Sequence, residues 1–190
     1  MTAHAPAARP RRSVLYLPAS NARAIEKSRS LAADAVVFDL EDAVAPAAKP
    51  QARENLAAAF TQGGFGHRET VIRTNEIGSD EYLEDLRLIV RCRPDAVLLP
   101  KVSSVEQVRR FAADAQAMAL PSGLRSWFMI ETVPGLMQLD AIAQAGTQAG
   151  PSLACLVVGT NDIAKDTGVS TESGRAYLVP WLMSIVLVAK

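Results

Sequence analysis

The chain has 190 residues, with 20 lysines and arginines, 20 aspartates and glutamates, and an apolar content of 49%. This length is sufficient for one domain with a substantial buried core. The formal net charge of zero argues against nucleic acid or an anionic membrane as the main partner, because both bind through basic patches.

The first twelve residues, MTAHAPAARPRR, predict a flexible tail, and residues 13–190 predict a single domain. The tail lacks the apolar core of a secretory signal. Cys92 and Cys155 form no CxxC motif, so we interpret them as free thiols and expect a cytoplasmic protein. The long apolar run at residues 177–189 is shorter than a membrane span and is interrupted by a proline, which predicts a buried helix.

Short apolar runs alternate with helical patterns along the chain. The predicted strands are residues 13–18, 35–41, 69–75, 95–101, 126–132 and 153–159. The predicted helices are residues 21–33, 48–60, 79–91, 104–118, 135–145 and 174–190. Continuous apolar strands separated by helices are typical of a parallel sheet whose faces are covered by those helices.

Such a β/α repeat folds either as a doubly wound sheet or as a (β/α)8 barrel. A dinucleotide-binding sheet carries a glycine-rich turn after its first strand, whereas here that turn is LPASNAR, with no glycine. The sequence therefore predicts a TIM-barrel fold. Because only six of the eight units can be counted, we expect a barrel truncated after its sixth unit. Its open edges and partly uncovered last helix would favour a homo-oligomer.

Polar side chains cluster where the predicted strands end. They are Asp39, Glu41, Asp42, Arg73, Asn75, Lys101, Glu131, Thr132, Asn161 and Asp162. TIM-barrel enzymes carry their active sites at the carboxyl ends of the strands. These residues are therefore expected to converge at the mouth of the barrel.

Glu131 and Asp162 are the candidate metal ligands, because they follow adjacent predicted strands. Two carboxylates one strand apart repel each other, and a divalent cation relieves that repulsion. With no histidine nearby, the ligands are all oxygen, which favours Mg²⁺, with Mn²⁺ as the alternative. Arg73 is the candidate for binding the carboxylate of a 2-oxo acid that chelates the metal.

Asp39, Glu41 and Asp42 are expected to order water molecules bound to the metal. Structural alternatives remain open for all of these residues. Arg73 could simply pair with Glu41 or Asp42. The two candidate metal ligands could instead form ion pairs with basic side chains on the rim. Lys101 either neutralises nearby acids or forms a Schiff base in a metal-free aldolase.

The sequence resembles the citrate lyase β-subunit-like branch of the HpcH/HpaI aldolase/citrate lyase family. The matching stretches include RRSVLYLPASN, DLEDAV, VIRTN, DAVLLPKVSS, MIETVPGL and VVGTNDIAKDTG, which run in order over residues 11–168. The resemblance implies a (β/α)8 barrel that binds Mg²⁺, makes or breaks a carbon–carbon bond beside a carbonyl, and often acts on acyl-CoA thioesters. It also implies that Glu131 and Asp162 hold the metal, and that Arg73 and Glu131 contact the substrate.

Two departures from the family pattern affect the expected function. Asn161 stands where the family has an acid, which leaves the substrate preference open, and the family's C-terminal catalytic aspartate has no counterpart. The first hypothesis is an Mg²⁺-dependent carbon–carbon lyase acting on a 3-hydroxyacyl-CoA or related hydroxy acid, with oxaloacetate or glyoxylate as the 2-oxo acid. The second is an inactive protein that binds metal and acid or a partner subunit. The third is a Schiff-base aldolase using Lys101.

Overall fold

The protein contains one parallel β-sheet, seen in a computed structural model that describes residues 9–172 and 174–190. Its strands are β1 Val14–Pro18, β2 Ala35–Asp39, β3 Glu69–Arg73, β4 Ala96–Leu99, β5 Arg125–Ile130 and β6 Leu153–Val158. They are hydrogen-bonded in the order of the sequence, from β1 to β6. A doubly wound sheet reverses its strand order, whereas a (β/α)8 barrel does not. The predicted TIM-barrel class is confirmed as a six-stranded partial barrel.

Helices follow the strands along the chain. They are α1 Ala22–Ser28, α2 Lys49–Gln62, α3 Asp80–Cys92, α4 Val105–Ala117, α5 Val133–Met137, α6 Leu139–Gln148, α7 Thr160–Thr167 and α8 Val179–Val188, with a 3-10 turn at Pro46–Ala48. The fifth predicted helix is divided in two at Gln138. We did not predict α7, because Ile163 is its one buried residue and leaves no apolar periodicity to read. No helix in the described ranges is long and apolar enough to cross a membrane.

The prediction that the apolar run 177–189 forms a buried helix is wrong. Helix α8 is largely exposed, with Met183 62% and Leu187 76% accessible, while Ile185 is buried. The helix packs against α6 on one side, and no described residue covers its other side. The last helix is therefore partly uncovered, as the missing barrel units led us to expect.

Two apolar layers stabilise the sheet, because alternate residues of a strand point to opposite faces. Val36 and Phe38 belong to the larger layer between the sheet and its helices. The smaller layer fills the inner face of the partial barrel and contains Ala35, Val37, Val71, Ala96, Leu98, Trp127 and Met129. A strand buried on both faces reads as a continuous apolar run, which is why the strands were recognisable in the sequence.

Of the flexible tail predicted for residues 1–12, the structure describes residues 9–12. Arginine side chains in this segment bind it to the sheet. Arg11 donates to both carboxylate oxygens of Glu69, at 2.7 and 2.9 Å. Its guanidinium also lies 5.0 Å from the ring centre of Trp127. Glu69 is the first residue of β3, so these contacts close the end of the barrel opposite the strands' carboxyl ends.

Candidate active site

The carboxyl ends of β2 and β3 bring Asp39 and Arg73 together, since the two residues are direct partners in the parallel register. Arg73 donates from Nε to Asp39 Oδ1 at 2.7 Å and from Nη2 to Oδ2 at 2.5 Å. Its Nη1 lies 2.8 Å from Glu41 Oε2, as an ion pair without hydrogen-bond alignment. Burial lowers the pKa of Arg73, but Asp39 and Glu41 more than offset that effect and raise it. The guanidinium is therefore charged and held by two acids.

Asp39 also shapes the loop that follows β2. Its Oδ1 accepts the backbone N–H of Glu41 at 2.8 Å, and its Oδ2 accepts that of Ala43 at 3.3 Å. Carboxylates that accept nearby backbone N–H groups stabilise tight turns of this kind. Asp42, in the same loop, points to solvent and forms no ion pair with Arg73 in the described structure.

Lys101 connects two acids on the rim. Its ammonium donates to Glu41 Oε1 at 2.7 Å, and its backbone N–H donates to Glu131 Oε1 at 2.8 Å. The backbone of Lys101 has φ 50°, in the left-handed region. The hydrogen bond to Glu41 raises the pKa of Lys101. Burial raises the pKa of Glu41, although Lys101 and Arg73 oppose that effect. Lys101 thus neutralises Glu41, which is one of the two roles considered for it from the sequence.

Glu131 follows β5 and is 2% exposed. Burial raises its pKa to about 7, against the hydrogen bond from Lys101. The negative charges of Glu41 and Asp162 raise it further, while Arg73 lowers it. Since Lys101 and Arg73 are already paired with other acids, Glu131 stands in a site with an excess of negative charge.

Asp162 follows β6, as the sequence predicted, and lies in the first turn of α7. A helix N-terminus favours a carboxylate there, because its free N–H groups carry partial positive charge. Asp166, one turn later, accepts the backbone N–H of Val133 at 2.8 Å and so attaches α7 to α5. Asn161 is exposed beside Asp162.

Glu131 and Asp162 line the same cavity of about 330 Å³. Only some of the other predicted site residues line it as well. Its lining residues are Lys101, Glu131, Thr132, Asp162, Lys165 and Asp166. Of these, sequence reasoning missed Lys165 and Asp166, although both lie in the quoted stretch NDIAKDTG. Arg73 and Asp39 do not line this cavity, so the contact of Arg73 with a substrate carboxylate stays a prediction.

The two carboxylates fit a hard divalent cation. Mg²⁺ is commonly held by one or two carboxylates, with water or substrate oxygen in its remaining positions. The described residues contain no group of three or more histidine, cysteine, aspartate or glutamate side chains arranged to hold a metal. A cation between Glu131 and Asp162 would oppose the burial and the neighbouring negative charges that together raise the pKa of Glu131.

Comparison with known proteins identifies the family of the chain. Residues 12–190 match the family described as HpcH/HpaI aldolase/citrate lyase. The chain belongs to this family. Among curated relatives, it is 40% identical to a (3S)-malyl-CoA thioesterase of Cereibacter sphaeroides, over 96% of this chain and 60% of that protein. It is 29% identical to the mitochondrial citramalyl-CoA lyase of Homo sapiens, over 95% of this chain and 56% of that protein.

A solved structure shares the fold. It is the citrate lyase beta subunit of M. tuberculosis complexed with oxaloacetate and magnesium, which is 27% identical. The TM-score is 0.74, and the match covers 94% of this chain and 75% of that chain. The present chain spans about 60% of the length of the malyl-CoA thioesterase that it matches at 40% identity. The named relatives are lyases and thioesterases of CoA esters.

Proposed function

We propose that the protein is an Mg²⁺-dependent carbon–carbon lyase of a 3-hydroxyacyl-CoA, with a 2-oxo acid as one product. The observation that carries this proposal is that Glu131 and Asp162 line one cavity, whose lining has three acidic and two basic side chains. A related structure contains both magnesium and oxaloacetate. Oxaloacetate is a 2-oxo acid, the class of molecule that offers a metal a carboxylate and a ketone oxygen together.

The cleavage balances without an external oxidant or reductant. The bond between the carbinol carbon and the carbon beside the thioester breaks, and the hydroxyl loses its proton as the 2-oxo acid forms. The enolate of the shortened acyl-CoA takes up a proton. Bound Mg²⁺ would supply Lewis-acid polarisation of the oxygen on the carbinol carbon.

The chain's own residues then have distinct tasks in this proposal. Glu131 and Asp162 hold the cation and orient the acid. Lys101 fixes Glu131 through its backbone N–H, and its ammonium keeps the buried Glu41 neutralised. Arg73 holds Asp39 and Glu41 in place, and through them the loop after β2.

Thioester hydrolysis is the second candidate, because a relative at 40% identity is a (3S)-malyl-CoA thioesterase. In that reaction water adds to the thioester carbonyl and the carbon–sulfur bond breaks, giving a free acid and a CoA thiol. The carbon skeleton stays intact. The two reactions therefore release different products from the same substrate.

The test is to incubate the protein with malyl-CoA and Mg²⁺ and to measure two products at once. Glyoxylate is trapped as its phenylhydrazone, and CoA thiol is measured with a disulfide reagent. Glyoxylate without thiol supports the lyase, and thiol without glyoxylate supports the thioesterase. Neither product, from protein that melts cooperatively, supports the inactive binding protein instead. Glu131→Gln and added EDTA should each abolish whichever product forms.

A further inference from the structure

Lys101 has a backbone conformation that its neighbours must stabilise. Its φ of 50° lies in the left-handed region, which residues other than glycine rarely adopt. Two hydrogen bonds hold the peptide groups on either side of its Cα. Its N–H donates to Glu131 Oε1 at 2.8 Å, and its carbonyl oxygen accepts the hydroxyl of Ser103 at 2.8 Å. The direction of the N–H towards Glu131 therefore depends on the bond that Ser103 makes on the other side.

The hydroxyl of Ser103 belongs to a chain of hydrogen bonds that has one possible direction. Ser103 Oγ also lies 2.7 Å from Thr132 Oγ1, where either hydroxyl could be the donor. A carbonyl oxygen cannot donate, so the single hydroxyl proton of Ser103 goes to Lys101, and Thr132 must donate to Ser103. Thr132 Oγ1 in turn accepts the backbone N–H of Gly135 at 3.1 Å. The chain therefore runs from Gly135 through both hydroxyls to Lys101, and the members of such a chain polarise and strengthen one another.

The backbone of Ser103 is fixed on both sides, which keeps its hydroxyl in place. Its N–H donates to Gln107 Oε1 at 2.7 Å, and its carbonyl oxygen accepts Gln138 Nε2 at 3.2 Å. Gln107 lies in α4, and Gln138 lies between α5 and α6. Ser103 thus joins the loop after β4 to the helices that follow β4 and β5.

The loops after β4 and β5 lie in close contact at this point. A Cβ built on Gly135 would stand 2.6 Å from the carbonyl oxygen of Val102 and 3.1 Å from Thr132 Oγ1, so there is no space for a side chain. The backbone N–H of Val102 also donates to the carbonyl oxygen of Met129 at 3.2 Å. These contacts leave the peptide of Lys101 little room to turn while the Ser103 bond is in place.

The N–H of Lys101 determines which oxygen of Glu131 is available to a cation. Oε1 accepts that N–H, whereas Oε2 accepts no hydrogen bond from the residues that the structure describes. Oε2 lies against Gly159, the residue that precedes α7 and its Asp162. The carboxylate is therefore held by one oxygen and presents the other on the side of the second candidate ligand.

We propose that Ser103 is a positioning residue for the candidate metal site: by holding the peptide of Lys101, it keeps Glu131 turned with Oε2 towards the cation. Ser103 does not line the cavity of Glu131 and Asp162, so it acts through Lys101 rather than on the cation or the substrate. Without its hydroxyl, the backbone of Lys101 can relax towards the common regions, and its N–H turns away from Glu131. The cation in this proposal rests on the proposed function, whereas the positioning of Glu131 does not.

The test compares Ser103→Ala with Ser103→Thr, which keeps the hydroxyl, and with Ser104→Ala as the matched control. Ser104 is the neighbouring serine, and its hydroxyl caps α4 by accepting the backbone N–H of Gln107. Calorimetric titration with Mg²⁺ measures the affinity of each variant. We expect roughly tenfold weaker binding in Ser103→Ala, as is typical when a group that orients a metal ligand is lost. Ser103→Thr and Ser104→Ala should bind Mg²⁺ nearly as wild type does.

A second measurement needs neither metal nor turnover. Lys101 is the one lysine of the sequence that follows a proline, so labelling with ¹⁵N-lysine and carbonyl-¹³C-proline identifies its amide signal by NMR. An N–H that donates to a carboxylate resonates downfield. In metal-free Ser103→Ala we expect this signal to move upfield and its hydrogen exchange to become roughly tenfold faster. Ser104→Ala should leave the signal of Lys101 in place.

The two measurements separate this proposal from the proposed function. An unchanged Lys101 signal in folded Ser103→Ala overturns the proposal. A shifted signal with unchanged Mg²⁺ affinity also overturns it, because the displacement then does not reach the metal site. If the wild type binds no Mg²⁺, the proposed function fails, while a shifted Lys101 signal still supports the positioning of Glu131 by Ser103.

Discussion

Gly159 lies directly against the side chain of Glu131. A Cβ built on Gly159 would stand 2.3 Å from Glu131 Oε2 and 2.6 Å from Glu131 Cβ, both far inside contact distance. The backbone of Gly159 has φ −88°, which any residue can adopt. The requirement for glycine is therefore one of space: β6 must pass close to β5 for Glu131 to occupy the site.

Gly159→Ala should displace Glu131 and weaken Mg²⁺ binding. We expect a loss of about 1–3 kcal/mol in the free energy of unfolding, the usual cost of overpacking, and about tenfold lower Mg²⁺ affinity. Urea unfolding and calorimetry measure the two effects. Gly123→Ala is the control, because a Cβ there meets nothing within 4 Å. Unchanged Mg²⁺ affinity in Gly159→Ala would show that the cation does not use Glu131.

Mg²⁺ affinity should depend on pH through Glu131. Its pKa is raised by burial to about 7, and a metal ligand must be deprotonated, so protons compete with Mg²⁺ below that pH. We expect roughly tenfold weaker binding at pH 6 than at pH 8, levelling off above the pKa. Calorimetric titrations across this range would measure it. A pH-independent affinity would contradict the assignment.

The raised pKa of Glu131 also makes the stability of the metal-free protein depend on pH. Stability increases as the pH falls, whereas Mg²⁺ affinity decreases. The folded state binds a proton on Glu131 up to about pH 7, whereas an unfolded glutamate releases it near pH 4.5. The contribution of Glu131 to stability therefore rises as the pH falls from about 7 towards 4.5. Glu131→Gln should remove this part of the pH dependence of Tm. An identical pH dependence in the variant and the wild type would contradict it.

Arg73→Met should destabilise the protein strongly, because it leaves Asp39 buried without its cation and leaves Glu41 with Lys101 alone. Removing one partner of a buried pair typically costs about 3–5 kcal/mol. Arg87→Met is the matched control, since its pair with Glu84 is exposed and should contribute less than about 1 kcal/mol. Urea unfolding of both variants measures the difference, and equal losses would refute a structural role for Arg73.

Borohydride in the presence of pyruvate or oxaloacetate should leave Lys101 unmodified at neutral pH. Its pKa is raised by the hydrogen bond to Glu41, and a protonated amine cannot attack a ketone. Mass spectrometry of the digested protein detects any adduct. A reduced adduct on Lys101 would restore the Schiff-base aldolase as the leading hypothesis.

The residues of the candidate site illustrate what the sequence could predict. Glu131 stood out as an acid at the end of an apolar strand, and β5 indeed places it on the rim. Helix α7 escaped prediction because its single buried residue, Ile163, leaves no periodic pattern, although α7 carries Asp162. The cytoplasmic location and the homo-oligomeric state stay predictions.

The sequence by itself determined the six strands, their barrel class and the rim position of the acids, because local apolar runs and strand ends are readable from adjacent residues. Only the tertiary structure decided the pairings. Arg73 joins Asp39 across two strands, Lys101 joins Glu41 to Glu131, and Asn75 directs the ammonium of Lys49. These contacts link residues 26 to 60 positions apart, whose distances depend on sheet register and helix packing rather than on local pattern.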